Sequence, residues 1–221
     1  MAIGREWYPV IDKRCRVKRH GSVIHGSWNV ADDKLYIDKS SIVYSAGIGK
    51  DVLFDLSLIH DYGLTVHGFD PTPESIAWIE SQQLPEEFVL HRYGISNKDG
   101  FTHFNPPEKP GGVSYTILDR SSAANDAIAV PIKRLKTIMK ELRHDHIDIL
   151  KMDIEGAEYR VIDDMIESNI RPRQLFVEFH HRFPGVGLAK TKTTVKKIRG
   201  YGYKLFSVSV TGEEYCFLRE E

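Results

Sequence analysis

The stretch Ser41-Ile-Val-Tyr-Ser-Ala-Gly-Ile-Gly49 decides the fold. Its first six residues form a mostly apolar run of strand length that ends in a Gly-x-Gly turn. Glycines carry no Cβ, so backbone or a ligand can approach such a turn closely. Beyond it, Val52, Leu56 and Ile59 recur at helical spacing and define an inward face, and Gly63 supplies the stop. Strand, glycine turn and helix make the opening unit of a parallel sheet, with free helix N–H groups facing the turn.

Working outward, Leu64–Asp70 reads as a second strand. Thr72 then caps a helix that has Pro73 at its first position and Ile76 and Ile79 facing inward. Phe88–Tyr93 is a third strand and Phe101–Phe104 a short extra one. Three prolines and two glycines between Asn105 and Gly112 make that segment a loop. In the second half, Ile132, Leu135, Met139 and Leu142 line a helix, and Ile147–Asp153 is a strand. A helix starting near Glu155 turns Tyr159, Ile162 and Ile166 to the core. Gln174–His180 is a strand, Thr194–Tyr201 a helix, and Tyr203–Val210 with Tyr215–Leu218 a closing hairpin around Thr211-Gly212. The pattern predicts a three-layer α/β domain over residues 41–221. Residues 1–40 read as an N-terminal extension, placed to act as a substrate lid, whose Trp7, Tyr8 and Trp28 can pack on a neighbouring core.

A chain of 221 residues, 41% of them hydrophobic, holds enough apolar material for one core. Its 30 basic and 31 acidic side chains nearly cancel, so no overall field draws nucleic acid or an anionic membrane. Two cysteines, Cys15 and Cys216, exclude a disulfide-framed module. The first seven residues lack the basic-then-apolar pattern of a secretory leader, and no apolar run reaches the roughly 20 residues of a membrane helix. The expectation is a soluble, cytoplasmic protein with neither nucleic acid nor membrane as partner.

Asp70 ends the second strand 21 residues after Gly49, where a carboxylate can accept both hydroxyl hydrogens of a ribose. The third glycine of a dinucleotide fingerprint is replaced by Val52, which disfavours NAD and with it an oxidoreductase. Gly49-Lys50 is followed by Asp51, an anion that would repel a phosphate. A ligand with ribose and adenine, a positive sulfonium and no phosphate suits this set, and S-adenosylmethionine has those properties. In Ile149-Leu-Lys-Met-Asp-Ile-Glu-Gly-Ala-Glu-Tyr159 the strand delivers Lys151 and Asp153 to one side and passes Glu155 and Glu158 into a helix. Lys151 and Asp153 satisfying each other, with the glutamates serving the helix dipole, is the structural alternative. Glu178 and His180 share a face at the carboxyl end of the next strand, so Gly47, Asp70, Asp153 and His180 are expected on one rim of the sheet.

Val43-Tyr-Ser-Ala-Gly-Ile-Gly49, Val66-His-Gly-Phe-Asp-Pro-Thr72, Tyr93-Gly-Ile-Ser96 and above all Leu150-Lys-Met-Asp-Ile-Glu-Gly-Ala-Glu158 resemble, in order and spacing, the FkbM-type class I methyltransferases. The resemblance covers roughly residues 41–180. It implies a Rossmann-like, mostly parallel seven-stranded sheet with an antiparallel final strand. It implies S-adenosylmethionine as cofactor, its methionine portion over Ser45, Ala46, Gly47 and Gly49, its ribose on Asp70 and its adenine near Pro71, Ile95 and Ser96. The activity implied is O-methylation of a hydroxyl on a small molecule or glycan. The acidic residue that opens the family's first glycine motif is absent here, Val43 and Ser45 standing in its place. Asp51 or Asp153 would then hold the cofactor's amino group.

An alcohol needs to lose its proton to attack a methyl group, and His180 is the first choice of base, with an unperturbed imidazole pKa of about 6.5. Glu155 or Glu178 can serve instead. A different route places a magnesium or manganese ion on Asp153 with Glu178 or His180, acidifying the hydroxyl directly. The acceptor pocket is expected from Trp7 and Trp28, the 105–115 loop and His181–Leu188. Lys190, Lys192, Lys196, Lys197 and Arg199 read as a solvated helix face, and His144 and His146 show no metal-ligand spacing. The competing reading is a catalytically inactive S-adenosylmethionine-binding module, acting as a sensor or partner.

Overall fold

A computed structural model describes residues 7–22, 26–105 and 127–220. Two short strands, β1 (Val17–Ser22) and β2 (Gly26–Ala31), pair antiparallel at the start. The opening unit follows as β3 (Ile42–Ala46) and α1 (Leu53–Tyr62), the helix closed by Gly63 in the left-handed conformation at φ 64°. Next come β4 (Thr65–Phe69), α2 (Pro73–Glu80), β5 (Phe88–His91), β6 (Gly94–Ser96) and β7 (Gly100–Phe104). The second half holds β8 (Ile128–Arg134), α3 (Leu135–Leu142), β9 (Ile149–Met152), α4 (Glu158–Glu167), β10 (Gln174–Glu178), α5 (Leu188–Gly200), β11 (Tyr203–Val208) and β12 (Glu214–Arg219).

Seven strands form the main sheet in the order β11-β12-β10-β9-β3-β4-β5. β5, β4, β3, β9 and β10 run parallel, and β12 is inserted antiparallel between β10 and β11. The chain leaves β3 toward β4 and β5, then returns to build β9 and β10 on the other side of β3. That reversal is the switch point at which open α/β sheets bind ligands. β6, β8 and β7 make a small separate sheet.

Alternation along the strands sends successive side chains to opposite faces. Tyr44, Leu150, Met152, Leu175 and Val177 pack with Leu135, Ile138, Tyr159, Ile162, Val195 and Ile198 of α3, α4 and α5. Val43, Ile149 and Phe176 pack on the other face with Phe54 and Leu58 of α1 and with Ile79 of α2. The β1–β2 hairpin shares that second layer: Trp28, 4% exposed, stacks on Phe176 at 5.9 Å and meets Phe54 edge-on. The hairpin is fastened by Gln174, whose side-chain oxygen accepts the Ala31 N–H at 2.8 Å.

Three local expectations are corrected. Ile132 belongs to β8, not to a helix; α3 begins at Leu135. The deeply buried positions of α1 are Phe54, Asp55 and Leu58, while Leu56 and Ile59 are half-buried. The helix foreseen near Glu155 begins at Glu158, because Glu155 and Gly156 both have positive φ, 53° and 100°, and form a turn instead. Among the described residues no helix is long and apolar enough to cross a membrane.

Candidate active site

The glycine turn after β3 is pressed against the end of β9. A Cβ on Gly47, at φ +76°, would lie 1.7 Å from the Asp153 carbonyl oxygen, so only glycine fits there. The two segments are stitched by Asp153 N–H donating to Ala46 O at 3.1 Å. Lys151 adds a second stitch: its ammonium donates to Gly47 O at 2.9 Å and lies 3.9 Å from Asp153 Oδ2. Mutual pairing of Lys151 and Asp153 is therefore the weaker part of what the lysine does.

Asp70, buried at the end of β4, folds the turn back on itself. One carboxylate oxygen accepts the N–H groups of Ile48 (3.1 Å) and Gly49 (2.9 Å). The other accepts Thr72 N–H (2.9 Å) and the Thr72 hydroxyl (2.7 Å). That uses the roughly four acceptor positions of a carboxylate. The Thr72 hydroxyl also lies 2.7 Å from Ser75 Oγ, so its one proton can move to Ser75 and leave Asp70 an acceptor position.

The turn after β9 is organised by a glutamate that sequence reasoning assigned no role in the site. Glu158 is wholly buried, and its carboxylate accepts Ile154 N–H at 3.0 Å and Gly156 N–H at 3.1 Å. Its Oε1 also accepts the Nδ1 proton of His180 at 2.9 Å. The signal lay in the sequence: a glycine two residues before a glutamate at a helix start marks a turn whose N–H groups need an acceptor. His180 Nε2 then faces Glu155 Oε2 at 3.6 Å, Asp153 Oδ1 at 3.7 Å and Glu178 Oε1 at 4.0 Å.

These contacts change the acid–base picture. Burial works against a charge on His180, but the hydrogen bond and charge of Glu158, with the charges of Asp153 and Glu155 added, outweigh it and raise its pKa to about 10. In this setting His180 is a cation at neutral pH, so an ordinary imidazole pKa does not recommend it as base. Burial, then the charge of Asp153, pushes Glu178 up to about 8.

A cavity of about 410 Å³ opens beside this cluster, within the usual range of small-molecule sites. Of the site residues proposed from the sequence, Gly47, Gly49, Asp51, Asp70, Pro71, Ile95, Ser96, Asp153, Glu155 and Glu178 line it. Ser45 and Ala46 do not; both are completely buried in β3 beneath the turn. His180 stands behind the lining residues. Trp28 is a core residue, Trp7 stacks on Tyr215, and most of the 105–115 loop lies outside the described residues. Residues not foreseen in the wall include Lys50, Phe69, Thr72, Thr102, Phe104 and Ile132, the last three contributed by the small sheet.

The donor set decides what fits. Among the described residues, Asp51, Asp70, Asp153, Glu155 and Glu178 face the cavity against one cation, Lys50. Such a wall suits a cationic ligand and opposes a phosphate. Ile95, Phe104, Ile132 and Pro71 give one end an apolar surface of the kind a flat base needs.

Comparisons with known proteins agree with this architecture. The chain is 28% identical over 183 residues to human "Probable methyltransferase-like protein 24", covering 79% of this chain and 43% of that protein. The rat protein of the same name is 28% identical over 160 residues, 71% of this chain and 38% of its own length. The chain thus spans less than half the length of these relatives. Among solved structures, methyltransferase FkbM from Methylobacillus flagellatus KT superposes with a TM-score of 0.50 at 14% identity, over 82% of this chain and 44% of that one, a likeness of fold. The model of the methyltransferase FkbM domain matches residues 43–205, from the middle of the glycine-turn strand into β11. With most of the chain inside that match, and the mostly parallel seven-stranded sheet that the resemblance implied now observed, this protein belongs to the FkbM methyltransferase family.

Proposed function

We propose that the protein transfers a methyl group from S-adenosylmethionine to a hydroxyl of a small molecule or glycan. The observation that carries the reading is the wall of the cavity: a glycine turn with free space over it, carboxylates in place of a phosphate cradle, and a His/Asp/Glu cluster at one end. S-adenosylmethionine supplies an electrophilic methyl on a sulfonium, leaving little chemistry for the protein beyond placing the acceptor and removing its proton.

The residues divide that work. Gly47 and Gly49 leave room for the ligand's methionine portion, and Asp51 and Asp153, both in the wall, are the acceptors for its ammonium. Asp51 covers for the missing acidic residue at Ser45, which is too deep to reach the cavity. Asp70 holds the ribose when the Thr72 hydroxyl turns to Ser75. Pro71, Ile95 and Ser96, with Phe104 and Ile132, take the adenine. Glu178, like Asp153 and Glu155, lines the cavity beside His180, and its pKa, raised by burial and the charge of Asp153 to about 8, suits it to accept the acceptor's proton. His180 balances the charge of the surrounding carboxylates, and Glu158 fixes its ring.

Calorimetric titration of the full chain with S-adenosylmethionine and S-adenosylhomocysteine tests the first half of the reading. Transfer of a labelled methyl to panels of alcohols, sugars and amines tests the second. Binding of both nucleosides with label appearing only on hydroxyl compounds is expected. Absence of heat with either nucleoside refutes the cofactor assignment, and label on amines alone refutes O-methylation.

A further inference from the structure

We propose that the cluster at the carboxyl ends of β9 and β10 is a divalent-cation site of the magnesium and manganese class, with Asp153, Glu155 and Nε2 of His180 as its protein donors. Its purpose rests on the methyl-transfer reading above; its existence does not. One ligand atom from each of the three residues lies within 4.8 Å of the others. Donors on neighbouring positions of an octahedral ion, each at about 2.1 Å, stand about 3 Å apart. The 3.6 Å from Nε2 to Glu155 and 3.7 Å to Asp153 are wider by about 0.6–0.7 Å, a gap that side-chain rotation would have to close on binding.

The second observation is how His180 is held. Its side chain is 9% exposed, and its Nδ1 proton is committed to the fully buried Glu158. Nε2 makes no hydrogen bond within 3.5 Å among the described residues, yet it points into the carboxylates. A carboxylate that fixes one ring nitrogen so that the other projects toward a cation is the usual support of a liganding histidine. Glu158 is itself immobilised by the N–H groups of Ile154 and Gly156, in the same turn that carries Glu155. Lys151 leaves Asp153 Oδ1 to the cluster, since its ammonium donates to Gly47 O and lies on the side of Oδ2. Oxygen-rich ligation with one imidazole and no sulfur favours manganese or magnesium over softer metals, and binding would displace the Nε2 proton that His180 carries in the metal-free protein.

Asp153 and Glu155 also line the cavity, so a cation there meets an acceptor hydroxyl arriving from it. It would lower the pKa of that hydroxyl. The proton passes to Glu178, the oxygen–carbon bond forms as the carbon–sulfur bond breaks, and the electron pair stays on sulfur, leaving S-adenosylhomocysteine. Open coordination positions favour acceptors with a second oxygen beside the reacting one, as in the vicinal diols of sugars.

The test uses the full chain stripped with EDTA, dialysed and titrated with MnCl2 by calorimetry, with pulsed EPR of the loaded protein. Expected are one Mn2+ per chain and a 14N coupling from one imidazole. His180→Gln should remove that coupling, and both His180→Gln and Glu155→Gln should weaken Mn2+ binding at least tenfold. Circular dichroism confirms that the variants fold. The proposal is overturned if the folded wild type binds no stoichiometric Mn2+, if its spectrum lacks nitrogen coupling, or if the coupling survives in His180→Gln. Binding of S-adenosylhomocysteine in EDTA is measured separately: its loss, with Mn2+ and nitrogen coupling intact, refutes the cofactor reading and leaves the cation site standing.

Discussion

Two carboxylate centres flank the cavity, and they are built on opposite principles. Asp70 gives its oxygens to four donors of its own chain, three of them backbone N–H groups, and so sets the shape of the glycine turn. Asp153, Glu155 and Glu178 instead face one another across His180 at ion-pair distances. A carboxylate satisfied by the main chain defines geometry, whereas carboxylates held together against their mutual repulsion store a preference for a positive partner. Glu158 joins the two principles, satisfied by backbone on one side and aiming the histidine on the other.

The harshest way to break the contrast is to remove the contact that holds both centres in register. Gly47→Ala forces a Cβ to 1.7 Å from the Asp153 carbonyl, so the turn and the end of β9 must separate. A loss of more than about 3 kcal/mol is expected, read as a fall of roughly 10 °C in Tm, together with loss of S-adenosylhomocysteine binding. Unchanged Tm would mean that the two segments are not in contact.

Next in size, Asp153→Asn and His180→Gln should each lower turnover about 100-fold or more. Tm should stay level or rise slightly in Asp153→Asn, where like charges are thinned, and fall in His180→Gln, which removes the counter-charge of the carboxylates and the partner of buried Glu158. Activity of both variants within threefold of wild type would remove these residues from the chemistry. Asp70→Asn should behave the other way. The amide nitrogen must face N–H donors on one side, which costs about 1–2 kcal/mol of stability, and S-adenosylhomocysteine should bind about tenfold more weakly. A calorimetric Kd and a thermal melt separate the two patterns.

The smallest effect sharpens the comparison with a third group that lies away from both centres. His67 stacks on His91, and burial, then the charges of His91 and His144, lower its pKa to about 4. A histidine whose folded pKa is depressed contributes stability that is present above the unfolded value of about 6.5 and lost as pH falls toward 4. Thermal melts should therefore drop by a few degrees between pH 7 and pH 5, and His67→Gln should flatten that slope. A slope unaltered by the substitution would place the acid sensitivity elsewhere.

What the sequence disclosed follows from which forces are local. β3, β4, β9 and β10 were legible because buried parallel strands are written as apolar runs, and the rim was legible because strand ends and alternation fix where Asp70, Asp153 and Glu178 emerge. Ile132 was misread because Pro131 argues against a strand while Leu135 and Met139 extend a helical period back to it. In α1 the inward face includes Asp55, a buried carboxyl that burial pushes to about 6, so an apolar count alone misplaces the face. Glu158 escapes assignment because the sequence reads as a helix from near Glu155, whereas the positive φ of Glu155 makes a turn there whose N–H groups Glu158 accepts. The β1–β2 hairpin was hidden because Lys18 and Arg19 sit in a strand of which only one side is covered.

That hairpin has a practical corollary. The family match begins at residue 43 and stops at 205, leaving out both the Trp28 cover over Phe176 and β12, the strand that links β11 to the rest of the sheet. A fragment trimmed to those limits would lay bare an aromatic surface and orphan a strand, and should clump when expressed. The strands that complete and cover the sheet run from Val17 to Arg219, and Trp7 and Asp12 add contacts to Tyr215 and Leu205, so sequence similarity here marks the chemistry more narrowly than the physics requires.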